Sequence, residues 1–109
     1  MKMEKLFVTI SHIDQYGMIE QLRPGNELLL KKDHNSRYDD EAILAVTDHG
    51  TICGYVANST ATVCRGTHSA GYIYRMFQEE TPAVIRFISV ENGFVIAELT
   101  ECAAEGNET

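Results

Sequence analysis

The segment from Ala83 to Leu99, which reads AVIRFISVENGFVIAEL, has the strongest local secondary-structure signal in the sequence. Its two apolar runs, Ala83 to Val90 and Phe94 to Leu99, are rich in valine, isoleucine and phenylalanine, which favour β-strands. The Glu91-Asn92-Gly93 connection between the runs contains the Asn-Gly pair that is common in tight hairpins. The stretch therefore predicts an antiparallel β-hairpin in a protein that is mainly β.

Four segments nearer the N-terminus have the pattern of further short strands. From Leu6 to Ile13, apolar residues alternate with residues of the opposite face, as in a half-buried strand. Short apolar runs bounded by turn residues are typical of buried strands, and three such runs occur, at Glu27 to Lys32, Ala42 to Thr47 and Ile52 to Ala57. Six short strands without long crossover helices predict a small antiparallel barrel of the OB-like or SH3-like kind.

One or two short helices are expected between the fourth and fifth strands. Asn58, Ser59 and Thr60 offer capping groups, which predicts a short helix from Ser59 to Arg65 that ends at Gly66. Ser69 is placed to cap a second helix, in which apolar residues from Ala70 to Phe77 recur at helical spacing. Pro82 is expected to end that element, because proline cannot continue a helix.

Length and composition describe one domain. The chain has 109 residues, enough for a single hydrophobic core, and no apolar run approaches the roughly 18 residues of a membrane span. We expect residues 1–99 to form the domain and residues 100–109 to form an acidic tail. The N-terminal residues lack the pattern of a secretory leader, so a cytoplasmic location away from membranes is expected.

The charge balance limits the kinds of partner. A formal net charge of -7 argues against wrapping a long phosphate backbone by bulk electrostatics. Part of this charge lies at the C-terminal end, because four carboxylates and no lysine or arginine follow from Glu98 onward. Nucleic acid therefore remains a possible partner, but one held through few phosphates.

The cysteines and histidines raise two chemical alternatives, a disulfide framework and a zinc site. Three cysteines, at positions 53, 64 and 102, favour reduced thiols over a disulfide framework. His49 with Cys53 and Cys64 with His68 are pairs four residues apart whose ligand types suit zinc, but a strand and a helix are poor places for such pairs, so no metal is expected.

Phosphate-binding, nucleophile-elbow and zinc-protease motifs are absent from the sequence, which favours a protein that is not an enzyme and needs no cofactor.

The region from Glu27 to Ala57 carries a resemblance to a known family. A leucine-rich strand and an asparagine-containing loop lead to Tyr38-Asp39, and Ala42-Ile43 and Gly54-Tyr55-Val56 follow in order. In this order and spacing the sequence resembles the HIRAN domain family, over roughly residues 5 to 99. The resemblance implies a compact OB-like barrel that binds DNA at the free 3′ end of a single strand.

The resemblance also implies roles for two central residues. Tyr38 would stack on a terminal base, a contact worth about 1–3 kcal/mol per base. Asp39 would accept a hydrogen bond from a free 3′-hydroxyl group while repelling phosphate, so that it selects strand ends. Alternatively, Tyr38 only covers the open end of the barrel and Asp39 only caps the turn at Asp40 and Glu41.

Further site residues are implied less directly. Ring or basic contacts would come from positions near the ends of strands, namely His12, Tyr55 and Phe94. The neutral Asn58 stands where the family can have a basic residue against phosphate, and either Asn35 or Ser36 takes the place of the loop asparagine. Three basic residues close to Tyr38 would lie near the adjoining phosphates, namely Lys31, Lys32 and Arg37.

Two functions follow from these observations. The first is a nucleic-acid-binding module for single-stranded DNA or free 3′ DNA ends, with a role in DNA repair and a helicase or nuclease as partner protein; the sequence does not separate DNA from RNA. The second is a protein-interaction adaptor that kept the barrel but lost DNA binding. The net charge of -7 and the neutral Asn58 favour the adaptor.

Overall fold

Six antiparallel strands close into a barrel in the computed structural model, which describes residues 5–37 and 39–101. Around the barrel the order is β1-β4-β3-β2-β5-β6. The strands are β1 (Leu6–Ser11), β2 (Glu27–Lys32), β3 (Ile43–Thr47), β4 (Ile52–Val56), β5 (Glu80–Ser89) and β6 (Phe94–Leu99). A 3₁₀ turn (Ile13–Tyr16) follows β1, and the helix α1 (Ala70–Tyr74) precedes β5. The predicted mainly-β barrel is confirmed.

Alternating burial along the strands builds one core inside the barrel. In β6, for example, Val95, Ala97 and Leu99 are buried while the residues between them are only partly covered. The predicted hairpin between β5 and β6 is present, with a connection of four residues (90–93). Gly93 has a φ of 70°, which favours glycine at this turn, and its N–H donates to the Ser89 carbonyl at 2.8 Å.

Two irregularities bend the strands enough to close the ring. In β4 the partners Ala45 with Gly54 and Val46 with Ile52 leave Cys53 as an extra residue. In β5 the register shifts between Ile85 and Phe87 in its pairing with β6. Such bulges increase local twist and curvature, which a barrel of six short strands needs.

The seam between β1 and β4 is short. Only Ile10 with Val56 and Ser11 with Tyr55 pair directly across it. Beyond this point the segment 57–68 runs along β1, because the Ala57 N–H donates to the Thr9 carbonyl at 2.8 Å and the His68 N–H donates to the Phe7 carbonyl at 2.7 Å. This segment therefore completes the wall of the barrel.

The helix predicted from Ser59 to Arg65 is wrong. This segment forms turns, in which the Val63 N–H donates to the Ser59 carbonyl at 2.9 Å. The Cys64 N–H instead donates to the side chain of Thr9 at 3.1 Å, so contact with β1 draws the chain away from a helical path.

Pro82 does not end a helix. The helix α1 stops at Tyr74, and Pro82 lies inside β5 opposite Leu29 of β2. Within the described part of the chain, no helix has the length and apolar character needed to cross a membrane.

Candidate nucleic-acid interface

A cleft of about 410 Å³ opens where the end of β1, the end of β4 and the loop after β2 meet. Four of the residues predicted from the sequence line it, namely His12, Asp39, Tyr55 and Asn58. These residues come from separate parts of the chain, and the closure of the barrel brings them together. The other lining residues are Ser11, Ser36, Ala42, Val56, Ala57, Ser59 and Thr62.

The carboxylate of Asp39 is held by the protein at both oxygens. Its Oδ1 accepts a hydrogen bond from the Glu41 N–H at 2.8 Å, which is the turn-capping contact considered from the sequence. Its Oδ2 accepts from Asn58 Nδ2 at 3.1 Å. An ionised carboxylate has about four lone-pair sites, so Asp39 keeps the capacity to accept a further hydrogen bond from a ligand.

Asn58 joins two walls of the cleft. While its Nδ2 donates to Asp39, its Oδ1 accepts from the Gly71 N–H at 2.8 Å, in the first turn of α1. The side chain therefore ties the loop after β2 to the helix. A neutral amide suits this double role, because it donates and accepts at once.

Tyr55 contributes both a ring and a hydroxyl group. The residue lines the cleft, and its hydroxyl donates to Asp33 Oδ2 at 3.2 Å. Burial, together with the neighbouring Tyr16 and the Asp33 carboxylate, raises the pKa of Tyr55 to about 12. The hydroxyl is therefore protonated and able to donate at neutral pH.

His12 occupies an unusual backbone position. Its φ is 63°, and it is the one non-glycine residue with a positive φ in the described part of the chain. A left-handed conformation in a residue other than glycine is uncommon, and such positions cluster at functional sites. Here it turns the chain from β1 into the 3₁₀ turn and leaves the exposed imidazole at the mouth of the cleft.

A second cleft of about 510 Å³ adjoins the first. Ser11, His12 and Thr62 line both clefts, and the second also contains Asp14 and Phe94. Phe94, which the sequence predicted as a ring contact, therefore lines the second cleft together with His12. The ring of Phe94 lies 6.4 Å from that of Phe87, centroid to centroid.

The predicted basic residues are not in the linings of these two clefts. Lys31 Nζ lies 4.0 Å from Glu80 Oε1. Lys32 Nζ donates to the Phe77 carbonyl at 2.9 Å and lies 4.2 Å from the centroid of the Tyr74 ring. In the described residues, neither cleft is lined by a lysine or an arginine.

The loop after β2 holds the remaining predicted residues. Arg37 is exposed and stands between Ser36 and Asp39, which both line the first cleft. Asn35 is exposed, and its backbone N–H donates to Asp33 Oδ1 at 3.1 Å. Asn35 and Ser36 are the two candidates for the place of the loop asparagine, and of these two Ser36 lines the first cleft. Tyr38 lies outside the described residues, as does the predicted tail beyond position 101.

The alternative zinc ligands do not converge. No three histidine, cysteine or carboxylate side chains of residues 5–37 and 39–101 are grouped so that they could hold a metal ion. The thiol of Cys53 is buried and donates to the Ala45 carbonyl at 3.4 Å. The ring of His68 stacks on that of Tyr72 at 4.2 Å.

Sequence reasoning missed the hydroxyl-bearing residues of the cleft. Ser11, Ser59 and Thr62 line it beside the predicted residues. Serine and threonine near strand ends are common turn and cap formers, so their positions carry no signal for binding. They line the same cleft as Asp39 because closure of the barrel brings these parts of the chain together.

The barrel and its loops define a HIRAN-like fold. Two solved structures show this likeness, each at 18% sequence identity. The crystal structure of the HIRAN domain of human HLTF matches with a TM-score of 0.68, over 94% of this chain and 78% of that chain. A crystal structure of a protein from Lactobacillus plantarum matches with a TM-score of 0.60, over 90% of this chain and 95% of that chain.

At the level of sequence, no such likeness is found. No protein-family model matches it, and no curated protein matches it. The two structural matches therefore establish the fold.

Proposed function

We propose that the protein is a binding module without catalytic activity that takes the free 3′ end of single-stranded DNA into the cleft around Asp39. The HIRAN-like fold supports a nucleic-acid-binding role, since DNA binding is what the resemblance to the HIRAN family implies. The observation that carries the proposal is the convergence of His12, Asp39, Tyr55 and Asn58 on one cleft.

The chemistry of the cleft suits a strand end better than a continuous strand. The fixed carboxylate of Asp39 can accept a hydrogen bond from a 3′-hydroxyl group, whereas it repels a phosphate in the same place. With no lysine or arginine among the described lining residues, the cleft offers little to a run of phosphates. Affinity would then come from rings that stack on bases, among them Tyr55, Phe94 and Tyr38.

The test compares one oligonucleotide with two kinds of end. Fluorescence anisotropy at low salt is measured for a short single strand that carries a 3′-hydroxyl group and for the same strand with a 3′-phosphate. We expect tighter binding of the hydroxyl form. Asp39→Ala should reduce this preference by at least about tenfold, because a hydrogen bond to a charged group is worth about 1.5–3 kcal/mol.

A matched control comes from the next residue. Asp40 is exposed and is not among the residues that line the cleft. Asp40→Ala removes the same charge and should leave the preference unchanged. An equal loss of affinity for both oligonucleotides in Asp39→Ala would count against the role assigned to Asp39.

The lining also favours a second candidate function. Its lack of lysine and arginine, together with the net charge of -7, suits a protein-interaction adaptor. The adaptor predicts no binding of either oligonucleotide, of RNA or of duplex DNA in the same assay. RNA is tested in parallel, because recognition of its 2′-hydroxyl depends on the shape of the cleft.

A further inference from the structure

The loop that carries Asp39 is closed at its base by Asp33. The Asp33 N–H donates to the Ala42 carbonyl at 2.9 Å, next to the last pair of β2 and β3. The Asp33 side chain adds two contacts, since Oδ1 accepts from the Asn35 N–H at 3.1 Å and Oδ2 accepts from the Tyr55 hydroxyl at 3.2 Å. Asp33 itself is not among the residues that line the cleft.

Tyr55 connects Asp33 to the cleft, because the residue lines the cleft and its hydroxyl donates to Asp33. The residue belongs to β4 and pairs with Leu44 of β3 on one side and with Ser11 of β1 on the other, so its backbone is fixed by two neighbouring strands. From this fixed position its hydroxyl reaches Asp33. Burial first, and then the neighbouring Tyr16 of the 3₁₀ turn and the Asp33 carboxylate, raise the pKa of Tyr55, so its hydroxyl stays protonated and can donate to Asp33.

We propose that Asp33 is a positioning residue for this cleft, which uses the Tyr55 hydroxyl to hold the loop residues 33–37 and 39–42 in place and so sets where the Asp39 carboxylate lies. This inference rests on the proposed function. It adds Asp33 and the Tyr55 hydroxyl as groups that affect binding through the position of Asp39. It also gives Tyr55 a role that its ring alone does not have. Phenylalanine would keep the ring against the cleft and lose the tie.

The test uses two single variants and their combination. Tyr55→Phe removes the donor, and Asp33→Ala removes the acceptor together with the contact of Asp33 Oδ1 to the Asn35 N–H. Affinity is measured for the 3′-hydroxyl and 3′-phosphate forms of one single-stranded oligonucleotide. Each variant should reduce the preference for the hydroxyl form by about tenfold, and the double variant should lose no more than the larger single loss, because both changes break the same bond.

Controls separate positioning from general damage. Tyr72→Phe removes a hydroxyl from an exposed tyrosine in α1 that lines neither cleft, and should leave the preference unchanged. Losses that are equal for the two oligonucleotides, or that add up in the double variant, would overturn the positioning role.

A second measurement does not depend on nucleic acid. The side-chain amide signals of Asn58 in NMR spectra report its bond to Asp39. Tyr55→Phe should shift these signals in the free protein, since the loop moves relative to β4, and unchanged signals would overturn the inference. If the unaltered protein binds neither oligonucleotide while the signals shift as expected, the proposed function fails and the tie between Asp33 and the loop stands.

Discussion

A side chain at position 54 would collide with β1. A Cβ atom there would lie 2.5 Å from the Ser11 carbonyl oxygen and 2.9 Å from Ile10 Cγ2. Gly54→Ala must therefore push the two strands apart, and we expect a loss of about 1–3 kcal/mol in the free energy of unfolding, measured with urea. Ser11 lines both clefts, so binding should weaken as well.

Gly71→Ala is the matched control for Gly54→Ala. The nearest atom to a new Cβ is Oε1 of Glu41, at the flexible end of a side chain that can move away. The next is Oδ1 of Asn58 at 3.3 Å, also at the end of a side chain, which needs to move by only a few tenths of an ångström. Alanine also favours the helix over glycine by about 1 kcal/mol. We expect this variant to be as stable as the parent protein or slightly more stable, and equal destabilisation by both substitutions would contradict the steric argument.

Cys53 gives the stability of the protein an alkaline limit. Burial raises the pKa of its thiol from the ordinary value of 9.0 to about 11. Between these values the folded state binds more protons than the unfolded state, so stability is fully present below about pH 9 and falls as the pH rises towards 11. Urea midpoints at pH 8, 9 and 10 should show this fall.

Cys53→Ala tests the origin of the alkaline fall. The variant should be less stable at pH 8, because it leaves a small cavity in the core, but its urea midpoint should change less between pH 9 and 10. The pKa of Tyr55 is raised to about 12, so its ionisation lowers the free energy of unfolding mainly above pH 10. An identical slope in the variant would show that another group titrates.

Among the elements, α1 depends on the residue that caps its N-terminus. Ser69 is the N-cap, and its Oγ accepts from the Tyr72 N–H at 3.2 Å. Ser69→Ala should lower the free energy of unfolding by about 1 kcal/mol, and Ser69→Asp should restore it because aspartate caps as well as serine. Thermal unfolding of the three proteins checks this, and equal losses in both variants would contradict the capping role.

The strands were predictable because their signals are local. A short apolar run bounded by turn residues places β2, and a run rich in valine, isoleucine and phenylalanine places β6, at the residues where the structure has them. The prediction failed at residues 59–65, where contacts with distant Thr9 decide the conformation. It also failed at Pro82, since a strand tolerates proline where no ladder hydrogen bond from its nitrogen is needed.

The candidate site was predictable only in part. The resemblance singled out Asp39, Tyr55 and Asn58, and the structure brings them to one cleft. The bond between Asn58 and Asp39 joins residues 19 positions apart, and the bond between Tyr55 and Asp33 joins residues 22 positions apart. Neither contact has a local pattern, because both arise from the path of the chain around the barrel.

At the scale of the whole molecule, the charge distribution predicts how binding responds to salt. Affinity for single strands falls with a logarithmic slope of about -0.7 for each phosphate contact. With clefts that have no described lysine or arginine in their lining, we expect about one contact and a loss of about threefold between 50 and 200 mM salt. Anisotropy titrations over this range measure the slope.

Arg37 is the basic residue nearest to the cleft in sequence, and its variant provides the control. If it supplies the single phosphate contact, Arg37→Ala should bring the slope close to zero. A slope several times steeper in the parent protein would show that phosphates are contacted elsewhere on the surface, and would contradict capture of a strand end.

The short seam between β1 and β4 has a consequence for the mechanics of the barrel. Ser11 and Tyr55 pair across it, and both also line the cleft, so a molecule bound there touches the two sides of the weakest join in the wall. Binding would then hold β1 and β4 together and raise the free energy of local opening at this seam. Amide hydrogen exchange at Ala57 and His68, whose N–H groups fasten the same wall to β1, should slow when the cleft is filled.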